Sequence, residues 1–154
     1  MVDLKGLSFG TPAAIVTSMG LIVGLDAATA AKATVIGSLL IVALADNLTD
    51  SLSVHIYQES EQLTQPQALQ TTVANFIARL LTSLTFVLMF YFLPTRPAIL
   101  ICVAWGFLLL SALSYLLARA RGAASPSEIL KHDGVAVMVI GISKVIGSWI
   151  HSVV

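Results

Sequence analysis

Five stretches of this chain are long and apolar enough to cross a lipid bilayer, and that limits the fold more than any other feature. They read FGTPAAIVTSMGLIVGL (9–25), ATVIGSLLIVALADNLTDSLSV (33–54), VANFIARLLTSLTFVLMFYFL (73–93), AILICVAWGFLLLSALSYLLA (98–118) and VAVMVIGISKVIGSWIHSVV (135–154). A membrane helix needs about 20 mostly apolar residues. Inside lipid every backbone polar group must be satisfied internally, so such runs fold as helices. The composition agrees. Of 154 residues, 57% are hydrophobic and 10% charged, against roughly 45–50% and about 25% in soluble domains. The expectation is an all-α integral membrane protein, one transmembrane domain over 1–154. Its five helices are expected near 9–25, 33–58, 71–93, 97–119 and 133–154.

The connections are short. DAATAAKA joins the first two runs and PTRP joins the third to the fourth. Residues 59–70 read as a short cytoplasmic linker broken by Pro66. Between runs four and five, SPSEILKH has the pattern of a short helix with Ser125 as N-cap and Glu128 at N3. Lys5, an apolar run and AATAA together imitate a secretory signal; the glycine punctuation, shared with the later runs, favours a retained helix. With the N-terminus inside, Lys5, Arg119, Arg121 and Lys131 fall in the cytoplasm and only Lys32 and Arg96 outside. Basic residues accumulate on the cytoplasmic side, so the spans read N-in, C-out.

Charge and motif content remove several function classes from the expectation. Net charge is zero, so no nucleic-acid partner is expected. One cysteine, Cys102, cannot form an intrachain disulfide. No metal-binding Cys/His spacing, phosphate loop or nucleophile–base set stands out, so an enzyme is not expected and no resident cofactor is assigned.

The second run carries LADNLTDSL (44–52). A charge at the centre of a membrane helix costs ~2.5–3.5 kcal/mol, so two unpaired aspartates cost about 5–7 kcal/mol. Asp46 and Asp50 stand four apart, hence on one face. Ser53 continues that face and Asn47 flanks it, while Leu44, Leu48 and Leu52 lie opposite. Oxygen-rich faces suit hard or borderline divalent cations and protons, and ionisable residues inside a membrane point to function. One reading is therefore an ion pathway. The other places the acids near the interface, or pairs them with Lys144 or Arg79 as glue between helices. Lys144, at mid-run five with Ser148 and His151 on its face, is the candidate charge partner; Arg79 reads as snorkelling to the boundary. His55, Glu59 and Glu61 would crown the cytoplasmic end of helix two and gather cations, or simply be solvated. Gly20 and Gly24 form a small-xxx-small pair. Trp105, Trp149 and Tyr91 read as packing or interface anchors.

The segments SMGLIVGL, VALADNLTDSLS, QESE and VMVIGISKVIGSWI together resemble the vacuolar iron transporter family of ferrous-iron and manganese carriers. Residues 20–25 match its first helix, 42–53 its second and QESE that helix's acidic extension; the close of the chain is similar to its last helix. The resemblance implies a homodimer that moves Fe²⁺ or Mn²⁺ out of the cytoplasm against protons. The membrane would be the cell membrane in a prokaryote, a vacuole-type membrane in a eukaryote. It places Asp46, Asn47, Asp50 and Ser53 on the metal path, with His55, Glu59 and Glu61 at its mouth. This sequence departs from the family pattern in three ways. FGTPAAIV has no carboxylate, the second-helix methionine is replaced by Asp46 or Asn47, and no cytoplasmic metal-binding domain separates helices two and three. The rival expectations are a non-transporting membrane subunit held by Asp–Lys pairs, and a proton-coupled carrier of another solute.

Overall fold

A computed structural model describes the backbone from Leu4 and the side chains from Gly10 onward. Six α-helices follow one another: α1 (Leu4–Ala27), α2 (Lys32–Ile41), α3 (Asn47–Ser60), α4 (Gln65–Phe92), α5 (Thr95–Ala120) and α6 (Ser125–Val153). A five-residue π-helical turn, Val42–Asp46, joins α2 to α3 without a break. The continuous helix Lys32–Ser60 is thus one span, and five helices are long and apolar enough to cross a membrane. This is an all-helical integral membrane protein.

The helices start and stop for local reasons. Pro66 stands in the first turn of α4 and Pro126 in that of α6, where a missing N–H costs nothing and the fixed φ suits helix entry. Pro66 therefore starts a helix instead of breaking one, and the expected linker 59–70 shrinks to a turn around Glu61–Thr64. SPSEILKH is likewise no separate helix. It is the first two turns of α6, with Ala124 as N-cap and no side-chain cap. Three helices end alike, on one left-handed residue: Thr29, Gln62 and Gly122. In each turn the following N–H reaches back five residues, Ala30 to Leu25, Leu63 to Gln58 and Ala123 to Ala118, satisfying a terminal carbonyl. The end of α4 is closed from elsewhere. Lys32 Nζ donates to the carbonyls of Tyr91 (2.9 Å) and Leu93 (2.8 Å), a cation on the negative end of a helix.

Helix α1 is the central post. It packs against α4, α5 and α6, and more lightly against α2 and α3; α4 in turn carries the second span. Small residues set its distance from α6. A Cβ at Gly147 would strike the carbonyl of Gly24, and one at Gly24 would come within 3.3 Å of Ser143. The Gly20/Gly24 pair thus does permit close approach, and its partner is α6. On the opposite side Met19 fills the space left by Gly106 of α5. Trp105 Nε1 donates to Thr85 Oγ1 at 3.0 Å, tying α5 to α4. The foot of α6 is tied to α5 through Ser111–Asp133 (2.8 Å) and Ser114–His132 (2.7 Å).

The interior divides into two layers. Toward the end that carries Lys32 and Leu93 it is apolar: Ile22, Val35, Leu39, Phe86, Phe90, Ala98 and Cys102 are buried together. Further along the second span and α4 the buried side chains become polar: Asn47, Ser51, Gln58, Asn75 and Arg79. The candidate site lies in that second layer.

Candidate functional site

Arg79 is the centre of the polar layer. It shares one buried face of α4 with Ala68, Asn75, Ser83, Phe86 and Phe90, the 7–4–4–3–4 spacing of a helix stripe. Only 2% of its side chain is exposed. Its stem fits over Gly10 of α1, where a Cβ would collide with Arg79 Cδ and with Asn75 Oδ1. Depth follows from helix geometry. Asp46 is fourteen residues past Lys32 (46 − 32) and Arg79 fourteen before Leu93 (93 − 79), so both stand about 21 Å from that end at 1.5 Å per residue. That is less than the roughly 30 Å of a hydrocarbon slab, so the cluster lies within the membrane-spanning length of both helices. Arg79 therefore does not snorkel: its helix runs back to Gln65, and its head turns inward.

The guanidinium gathers three side chains of the second span. Nη2 donates to Asp46 Oδ2 at 2.7 Å and Nε to Asn47 Oδ1 at 2.8 Å. Nη1 lies 2.8 Å from Asp50 Oδ2, an ionic contact off the line of a hydrogen bond. Asn75 Nδ2 approaches Asp50 Oδ2 and Ser51 Oγ, each at 3.3 Å. The charge partner of the aspartates is thus Arg79. Lys144, the candidate from sequence, lies exposed on α6 and makes no ion pair among the described residues. The planar fork of arginine suits this role better than an ammonium.

The π turn places these groups. An i→i+5 turn inside an α-helix leaves carbonyls without their usual N–H, and such turns concentrate at functional sites. Here two side chains add donors to carbonyls of the turn. Asn47 Nδ2 donates to Ala43 O (2.6 Å) and Thr49 Oγ1 to Ala45 O (2.9 Å). Asn47 therefore serves twice, closing the π turn with its amide nitrogen and holding Arg79 with its oxygen. The inward face of the span is Ala43, Asn47, Ser51, Val54 and Gln58, and Leu44, Leu48 and Leu52 point outward. The acids flank the inward face: Asp46 is 50% exposed and Asp50 37%. Each gives one oxygen to Arg79 and keeps Oδ1 without a protein partner among the described residues. Ser53, expected beside them, is exposed and spends its proton on Thr49 O at 3.0 Å.

No protein-family model, curated protein or solved structure matches this chain.

The remaining expected residues of this helix form a second group, about 14 Å further along α3. Thr72 Oγ1 donates to Ala68 O (2.8 Å), so its proton is committed. His55 Nδ1, 3.3 Å from the same oxygen, must then be the donor. That leaves His55 Nε2 facing Glu59 Oε1 at 3.5 Å, an oxygen that also accepts from Gln65 Nε2 at 2.8 Å. Glu61 is exposed in the turn after α3. Among the described residues no three His, Cys, Asp or Glu side chains gather in a metal-holding group. The structure thus brings Asp46, Asn47 and Asp50 together and pairs His55 with Glu59, and leaves Ser53, Glu61 and Lys144 apart. Of the two charge partners the sequence offers it selects Arg79, and it adds Asn75, Ser51 and Gly10.

Proposed function

We propose that this protein is a membrane carrier for a divalent cation of the Fe²⁺/Mn²⁺ class, exporting it from the cytoplasm in exchange for protons. Asp46 and Asp50 are the groups that take the ion. The observation that carries the reading is their arrangement: two half-exposed carboxylates within the bilayer, beside a π turn, sharing one buried cation. Two carboxylates and one guanidinium sum to −1. A net charge held in hydrocarbon is costly, so the cluster attracts a proton or a metal ion. Oxygen ligands and one carboxamide suit Mn²⁺ and Fe²⁺. His55 and Glu59, beyond the membrane on the same helix, would collect cations at the mouth. Arg119, Arg121 and Lys131 stand at that same end of the bundle, which supports placing it in the cytoplasm, N-in and C-out. The resemblance of the sequence to iron and manganese carriers implies a pair of chains.

The test is flux into proteoliposomes loaded with a Mn²⁺-sensitive dye. The parent is expected to move Mn²⁺ faster with an opposing proton gradient, and Asp46→Asn/Asp50→Asn to fall to the level of empty vesicles. Equal flux from both would end the proposal. One observation favours a second reading, a non-transporting subunit. The three-point hold of Arg79 on the second span is what inter-helix glue requires. That reading expects no flux from the parent and loss of assembly in the double variant.

A further inference from the structure

One oxygen of each carboxylate that would hold an ion is already held, by a cation that belongs to the protein. We propose that Arg79 is a tethered stand-in for the transported ion: it occupies Asp46 and Asp50 when no cargo is bound, and withdraws when a divalent cation arrives. The inference rests on the carrier reading above and adds what the site selects and how it is kept closed when empty.

Three observations carry it. First, Arg79 and an ion bound by both carboxylates compete for the Oδ2 atoms. The Oδ2 atoms of Asp46 and Asp50 lie 2.7 and 2.8 Å from the two terminal nitrogens of one guanidinium. A Mn²⁺- or Mg²⁺-sized ion sits about 2.0–2.2 Å from its oxygen ligands, so guanidinium and ion exclude one another. Second, the hold is uneven. The bond to Asp46 is a hydrogen bond, whereas the contact to Asp50 lacks that geometry. Third, a second seat is waiting. Asn75 Oδ1 is fully buried and has no partner among the described residues. It lies in the same Gly10 cradle as Arg79 Cδ, since one Cβ there would touch both atoms. Thr11 Oγ1, next to Gly10, is a second buried acceptor without a partner. A guanidinium carries five N–H donors and no acceptor. A rotation of the Arg79 head away from the second span and toward Gly10 would give Asn75 Oδ1 its donor.

Charge at the acids themselves then sets the cargo. Two carboxylates carry −2, of which Arg79 or a monovalent ion meets half and a dication meets all. Whichever ion displaces Arg79, the guanidinium keeps its own charge and must be held by neutral acceptors, a cost common to both. A monovalent ion only replaces one half-compensation with another and does not offset that cost, whereas a dication gains a further unit of attraction at the acids. Arg79 therefore discriminates against Na⁺ and K⁺ and closes the path when empty.

The experiment measures Mn²⁺ binding to the full chain in lipid nanodiscs by titration calorimetry, with and without excess Na⁺. Four proteins are compared: the parent, Arg79→Gln, Arg79→Lys and Asp46→Asn/Asp50→Asn. Removing the competitor should tighten Mn²⁺ in Arg79→Gln at least tenfold, about 1.4 kcal/mol, and make that binding sensitive to Na⁺. Arg79→Lys keeps the charge but loses the fork, so it should fall between the two; it also decides the matter if Arg79→Gln does not fold. The acid double variant should bind no Mn²⁺. If both Arg79 variants bind Mn²⁺ no tighter than the parent while the acid variant loses it, the stand-in is refuted and the carrier stands. If the parent and the double variant bind alike, or neither binds, the carrier reading fails and the inference with it.

Discussion

Asn47 offers the sharpest test of how the polar layer holds the second span. Its side chain is buried and joins two things that no other residue joins: the π turn, through Nδ2 to Ala43 O at 2.6 Å, and Arg79, through Oδ1 to Nε at 2.8 Å. Asn47→Ala removes both bonds and leaves a buried N–H of a cation without its partner. In water-soluble proteins each such orphan costs about 1–3 kcal/mol. In a bilayer the unfolded helices find other partners, and interhelical hydrogen bonds average about 0.6 kcal/mol, reaching about 1.7. The membrane figure governs here, because unfolding leaves the helices inserted. Two bonds, one of them to a charge, then sum to about 1–3 kcal/mol. Ser53→Ala is the matched control on the same span, since its exposed hydroxyl bonds only Thr49 O; such surface changes stay within about 0.5 kcal/mol. Reversible unfolding in mixed micelles, followed by circular dichroism, measures both. A loss for Asn47→Ala no larger than for Ser53→Ala would refute the claim that the network secures the span.

Gly147→Ala should destabilise by about 1–3 kcal/mol, as overpacking does, because the added Cβ meets the Gly24 carbonyl. Gly141→Ala on the same helix meets nothing within 4 Å and should be neutral or gain up to about 1 kcal/mol of helix propensity; one micelle melt per variant compares them. Lys32→Ala should cost about 0.3–1 kcal/mol and speed amide exchange in the last turn of α4, seen by hydrogen exchange, through loss of the bonds to Tyr91 and Leu93. Single cysteines replacing Glu61 and Arg96 in a Cys102→Ala background should react with an impermeant maleimide from opposite sides of a sealed vesicle, Arg96→Cys from outside in cells. Labelling of both from one side would overturn the five-span order.

The spans were legible because apolar length alone specifies a membrane helix, and the outward leucines at 44, 48 and 52 were legible because their spacing is helical. The helix ends were less so. Gly122 marks a left-handed stop that any reader would find, but Thr29 and Gln62 adopt the same conformation without glycine, held by turn hydrogen bonds that no residue type announces. The inward face of the second span was missed for a different reason. Its positions 43, 47, 51, 54 and 58 have the spacing of a buried stripe, but three of the five are polar. A search for apolar periodicity therefore steps past them to the acids alongside. Arg79 looked peripheral because its helix was started at 71–73; the first turns, led by Pro66, are too polar to count as membrane. Once the helix begins at Gln65, Arg79 falls in its middle, level with Asp46.

That level also explains why the two readings of the cluster diverge on so few atoms. Glue between helices needs the oxygens that touch Arg79 and nothing more. Two aspartates are then one more than glue requires, since a single carboxylate would neutralise the guanidinium and avoid a net charge in the bilayer. The second carboxylate, the half-open exposure of both, and the Asn75 oxygen one turn away, unpartnered among the described residues, are surplus to a static tie. They are what a site needs if its internal cation is to move aside and another is to take its place.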